Sequence, residues 1–185
     1  MNVTIDTIMA RRSIRAFTPE PLTKEQTEAL VNVAVTSPTA VNSLNWHFSF
    51  IQNTDIILEF ERDIVEGIMR GDDERFKERT RERGNKAVYD ATTFIIISAA
   101  PTAYSHIDAG IAVQSLAIAA KSMGLESVIL GLPKLVFGSD RADYWKEKLN
   151  FPEGNEFVIS IAIGHGAMKP LVEKVLDTSK VSFIQ

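Results

Sequence analysis

Apolar residues recur along the chain with two periods, and the switches between them mark out its elements. In the first half, helix start signals precede apolar residues spaced for one helical face. They are Thr4 before Ile5, Ile8 and Met9; Thr23 with Gln26 three residues on, the pattern of a capping box; and Thr54 before Ile57, Leu58, Ile64, Val65 and Ile68. Between the second and third lies Trp46-His47-Phe48-Ser49-Phe50-Ile51, which alternates as a half-buried strand does. Residues 93–99 form a continuous apolar run that predicts a strand buried on both faces and ended by Pro101. Residues 108–124 predict a long Ala-rich helix, apolar on almost every side and therefore suited to a core or a subunit interface. A short strand over 127–131 and an amphipathic helix over 140–150, stopped by Pro152, come next. In residues 156–164 Phe157, Ile159, Ile161 and Ile163 alternate with smaller residues, again a strand. This order predicts helices packed around a central sheet. No repeat and no linker rich in Gly, Pro or Ser interrupts it, so residues 1–185 are expected to form one domain.

Composition changes this picture little, but it narrows the partners. A content of 45% hydrophobic and 24% charged residues is that of an ordinary globular protein. A net charge of −4 argues against nucleic acid and anionic membrane as partners, since both need a sustained cationic excess. Ten of the twelve residues 72–83 are charged, five of each sign, which predicts a solvated, ion-paired segment and not a basic arm. The absence of cysteine excludes disulfides, thiolate metal sites and a thiol nucleophile. The N-terminus has no apolar signal region and no window is apolar enough to span a bilayer, so a cytoplasmic location is expected.

Local chemistry is concentrated in four segments. Arg11-Arg12-Ser13-Ile14-Arg15 puts three guanidiniums and a hydroxyl within five residues, which suits a phosphate or, equally, a basic helix end. Residues 37–46, from Ser37-Pro38-Thr39-Ala40 to Asn45-Trp46, are small and polar enough to admit a flat ligand or to serve as a plain connection. Gly164-His165-Gly166 with Lys169, and Leu130-Gly131, end two of the strands. His47, His106 and His165 lack metal-ligand spacing, and no serine sits in a nucleophile-elbow frame, so neither a metal site nor a catalytic residue is assigned.

In this order the segments resemble the FMN-dependent nitroreductase family across nearly the whole chain. Residues 11–17 resemble its phosphate-binding motif, and Pro38-Thr39-Ala40-x-Asn42-x-x-x-Trp46 its flavin-facing loop. Asp108 to Gln114, continuing to Leu125, resembles its central dimer helix, and Ile161 to Gly166 its last strand and turn. The resemblance implies an α+β fold with a mostly antiparallel sheet surrounded by helices, in an intertwined homodimer. It implies an FMN-dependent oxidoreductase that takes hydride from NADH or NADPH at flavin N5 and passes electrons, ping-pong, to nitroaromatics, quinones or similar small acceptors. Arg11, Arg12, Ser13 and Arg15 would hold phosphate and ring oxygens. Pro38, Thr39, Ala40 and Asn42 would serve the partner subunit's flavin, and Leu130 and Gly131 would lie near N5. Gly164, His165, Gly166 and Lys169 would close over the phosphate, with Asn85 as a further flavin contact. The alternatives are a non-catalytic FMN carrier or sensor, and a related flavin enzyme of another task such as dehalogenation or flavin fragmentation. Leu44-Asn45 stands where the family commonly has Gln-Pro, and Ser115 where Asn is usual, which places the acceptor in question more than the flavin.

Overall fold

Strand β2, Thr93–Ala99, is buried along its whole length and organises everything around it. The computed structural model describes residues 2–170 and 174–184. In it β1, Trp46–Ile51, pairs with β2; β2 pairs with β4, Glu156–Gly164; and β4 pairs with β3, Glu126–Leu130. Every pairing is antiparallel, in the order β1-β2-β4-β3. Side chains alternate across β2. Phe94 and Ile96 enter one core, while Ile95 and Ile97 enter another on the opposite face.

The first core lies under helix α3, Thr54–Arg70, whose Ile57, Phe60, Ile64 and Ile68 form a buried stripe. Trp145 of helix α7, Ala142–Lys148, meets Phe60 edge-on at 4.6 Å between ring centroids. Such a pair adds about 0.5–1.5 kcal/mol beyond the area it buries. The second core is made by helix α2, Lys24–Val35, and helix α5, Ser105–Ser122, through Leu30, Ala34, Ala109, Ala112, Leu116, Ala117 and Ala120. The expected sheet between helices is therefore three layers. Helix α1, Val3–Ala10, lies against α5 yet buries none of its own side chains.

Strands 46–51, 93–99 and 156–164 fall where the alternation puts them. The capping box at Thr23 and Gln26 forms, each side chain bonding the other's backbone N–H at 3.2 and 2.9 Å. Other helix ends differ. Asn2 caps α1 and Asn53 caps α3, because in each case the Asx side chain just upstream reaches the first free N–H before threonine can. Helix α5 begins three residues before Asp108, where the Ser105 hydroxyl accepts from the Thr102 N–H and donates to the Ala100 carbonyl. It stops at Ser122, with Gly124 in the left-handed region at φ +77°. Strand β3 is shifted one residue toward the N-terminus. The helix read at 140–150 shrinks to α7 and is preceded by one turn, α6, Lys134–Phe137. The charged segment folds as helix α4, Glu74–Glu82, capped by Asp73 and largely solvated.

Candidate functional site

The arginine motif is neither helix nor free loop. It runs as an extended chain across the end of the sheet. The Ile14 N–H donates to the Ser127 carbonyl at 3.0 Å, the Thr18 N–H to the His165 carbonyl at 2.8 Å, and the Ala167 N–H to the Ala16 carbonyl at 2.9 Å. Ile14 and Phe17 turn into the core, leaving Ser13 and Arg15 exposed and Arg11 and Arg12 half-buried. The pattern therefore pins the backbone by its apolar members and presents the polar ones. It also explains the glycines that end β4. A Cβ on Gly164 would sit 3.2 Å from the Phe17 ring, and one on Gly166 would sit 2.7 Å from Glu126 Cγ. They permit close packing of this crossing.

A third cation joins the two half-buried arginines. Lys174, itself exposed, donates to the Ile8 carbonyl at 3.3 Å, and its ammonium is held below the usual lysine range by slight local desolvation and by the nearby Arg12 and Arg11 charges. Among the described residues no carboxylate lies within 4.0 Å of Arg11, Arg12, Arg15, Lys169 or Lys174. A concentration of positive charge without counter-charge suits a polyanionic ligand. Lys169 is exposed and bonds to neither arginine. The sequence offered no sign of Lys174, whose place depends on the chain returning past α1.

Leu130 and Gly131 lie along β3 from this cluster. Ser13 bridges to Ser127, so Leu130 is three residues, about 10 Å, further along the strand. The Leu130 carbonyl accepts from the buried Ser160 hydroxyl at 2.7 Å, and a Cβ added to Gly131 would meet nothing within 4 Å. The backbone at the end of β3 thus faces open space.

Asn85 has a left-handed backbone, φ 58°, in a turn where Gly84, Tyr89 and Asp90 are left-handed too. What holds this turn is Glu61, a buried carboxylate of α3 that accepts the Ala87 and Val88 N–H groups at 2.7 and 2.6 Å. Asn85 lines a cleft of about 860 Å³ with Leu58, Glu61, Val65 and Met69. A second cleft, lined by Phe17, Pro19 and Val88, shares Leu58 and Glu61 with it along α3.

Residues 37–46 are elsewhere. Trp46 pairs with Ala99 and Ala99 with Glu156, at the end of the sheet opposite Thr93, Gly164 and Glu126. The length of β2, seven residues or about 20 Å, separates this loop from the cation cluster of the same chain. Pro38, Thr39, Ala40 and Asn42 therefore do not join Arg11 to Arg15 within one subunit. The loop itself is well fixed. The Ser37 hydroxyl donates to the Val33 carbonyl, the Leu44 N–H to Thr39 Oγ1, and the Ala40 N–H to Asp108 Oδ1 at 2.9 Å.

Comparison with known proteins adds to this geometry. Residues 8–165 match the model of the nitroreductase family. Among curated proteins none matches the chain. Among solved structures, a nitroreductase with bound FMN from Desulfitobacterium hafniense DCB-2 is 30% identical, with 100% of both chains covered and a TM-score of 0.94. A nitroreductase with bound FMN from Bacteroides fragilis NCTC 9343 is 24% identical over 100% of both chains, with a TM-score of 0.88. An FMN-dependent nitroreductase from Clostridium difficile R20291 is 25% identical over 99% of each chain, with a TM-score of 0.77.

Proposed function

The chain belongs to the nitroreductase family, and from that premise we propose that it binds FMN and uses NADH or NADPH to reduce nitroaromatics, quinones or similar small acceptors. The observation that carries this reading is the cluster of Arg11, Arg12 and Lys174 near the start of β3, which has no carboxylate partner among the described residues. One terminal phosphate fits it, and the open backbone about 10 Å along the strand at Leu130–Gly131 leaves room for a flat ring. When bound, the flavin supplies the redox chemistry, accepting hydride from the nicotinamide and passing electrons on. Arg11, Arg12 and Lys174 neutralise the phosphate. Ser13 adds a hydroxyl from exposed backbone beside them, while Arg15 and Asn85 orient the ring edge. Gly164, His165 and Gly166 keep the motif in place by packing against it, and Lys169 adds charge at its rim. No protein acid or base is assigned a proton transfer.

The same reading includes a homodimer in which residues 38–42 serve the partner's flavin. Two features support it. The loop is a sheet length away from its own chain's cations. Large apolar side chains also stand uncovered on α1 (Val3, Ile5), on the outer face of α5 (Ile107, Ile111), and along the C-terminal segment (Val175, Leu176, Phe183, Ile184). A stable obligate interface of this kind buries more than about 2,000 Å² in total.

Steady-state oxidation of NADH and NADPH with menadione or a nitroaromatic tests the activity. Sustained turnover is expected. A single stoichiometric reduction would make the protein a flavin carrier or sensor, and no reaction with bound FMN would assign it another flavin task.

A further inference from the structure

The loop after α2 is held in a conformation its own residues disfavour. Val41, Asn42 and Leu44 all lie in the left-handed region, at φ 49°, 54° and 47°. Asparagine tolerates that region, but Val41 is β-branched and Leu44 has no side-chain hydrogen bond to offer in return. Val41 gains nothing by burial either, being 94% exposed. A conformation of this sort persists only where its surroundings impose it.

Two of the constraints are internal to the loop, the Leu44 N–H to Thr39 Oγ1 and the short 3-10 turn over Ala40–Asn42. The external one is Asp108. Its carboxylate is 3% exposed, and Oδ1 accepts the Ala40 N–H at 2.9 Å across 68 residues of sequence. Among the described residues Oδ2 is buried with no partner, and the Ala40 N–H is the one polar contact the side chain makes. Burying a carboxylate for a single hydrogen bond is costly. The residue is moreover a poor choice for packing, beside the buried Ala109 and Ala112 that α5 gives to the apolar core. Its platform is rigid, since Ser105 fixes the start of α5 to Thr102 and Ala100.

We propose that Asp108 is a positioning residue: by holding the Ala40 N–H from the first turn of α5, it keeps residues 39–44 in the strained form that meets the partner's flavin. This rests on the proposed role of that loop. Asp108 itself touches no reacting atom.

The test uses the full-length protein and two variants, Asp108→Asn, which keeps an acceptor oxygen, and Asp108→Ala, which does not. Without added FMN, amide exchange at Ala40 should be slow in the wild type and in Asp108→Asn. It should rise roughly ten- to a hundredfold in Asp108→Ala, the equivalent of one hydrogen bond to a charged group. FMN affinity by titration should follow the same order, weaker by about tenfold or more in Asp108→Ala and within about threefold of wild type in Asp108→Asn. Equal exchange at Ala40 in all three proteins would overturn the proposal, as would equal loss of affinity in both variants. An Asp108→Ala chain that does not fold would overturn it too, making Asp108 a support of the core. A wild type that takes up no FMN, with the order of Ala40 exchange intact, would leave Asp108's hold on the loop standing and remove the flavin reading instead.

Discussion

Lys174 and Glu61 both lie outside the arginine motif, and each is open to direct test. Lys174→Ala is expected to weaken FMN binding roughly tenfold through loss of a charge-assisted contact to phosphate. Raising salt should narrow the gap between wild type and variant, because the removed term is electrostatic. Titrations at two ionic strengths would check both points, and equal affinities would take Lys174 out of the site. Glu61→Ala strips two buried N–H groups, those of Ala87 and Val88, of their shared acceptor. It should cost about 2 kcal/mol or more, read as a lower urea midpoint, and Glu61→Gln should cost less since it keeps one acceptor. The sequence held a signal for Glu61, a carboxylate inside the apolar stripe of Ile57, Phe60, Ile64 and Ile68. It held none for Lys174, because proximity to Arg11 and Arg12 is created by the path of a distant segment.

Among the elements, the strands were legible almost to the residue because period-two alternation and a two-sided apolar run leave one reading of β1, β2 and β4. Helix ends were less so, since Asn2 and Asn53 take the capping role one or two residues before the threonines that advertise it. The junction of α3 with α7 was not legible at all. There Glu59 accepts from Lys148, Arg141 and the Tyr144 hydroxyl, while Asp63 accepts from Arg141 and the Trp145 indole. Lys148 and then Tyr144 hold the Glu59 carboxyl below its ordinary value of 4.5. A folded-state value lower than the unfolded one means that the contribution is present above about pH 4.5 and is lost as pH falls through the folded value. Glu59→Gln should accordingly flatten the acid limb of a thermal-midpoint-versus-pH curve and lower the plateau above it. An unchanged acid limb would assign the acid sensitivity to other groups.

At the scale of the whole molecule, the low polarity of residues 108–124 has two causes that the sequence could not separate. One face of α5 fills the chain's own core, and Ala117, fully buried there, belongs to it. Ala117 is therefore no probe of the proposed dimer, and Ala117→Glu should unfold the chain. The outer face carries Ile107 and Ile111, the latter 40% exposed. Ile111→Glu is expected to leave the subunit folded while shifting sedimentation toward monomer and lowering bound FMN, since residues 38–42 would leave the partner's site. A folded Ile111→Glu dimer with full FMN would place the interface elsewhere.

The most direct test of the flavin site is a titration of the flavin-free protein with FMN, followed by quenching of flavin fluorescence and run beside riboflavin, which lacks the phosphate. Saturation at one FMN per chain, with riboflavin bound at least roughly tenfold more weakly, is the result expected of a site built on Arg11, Arg12 and Lys174. Equal affinity for the two, or no saturable binding of FMN, would contradict it.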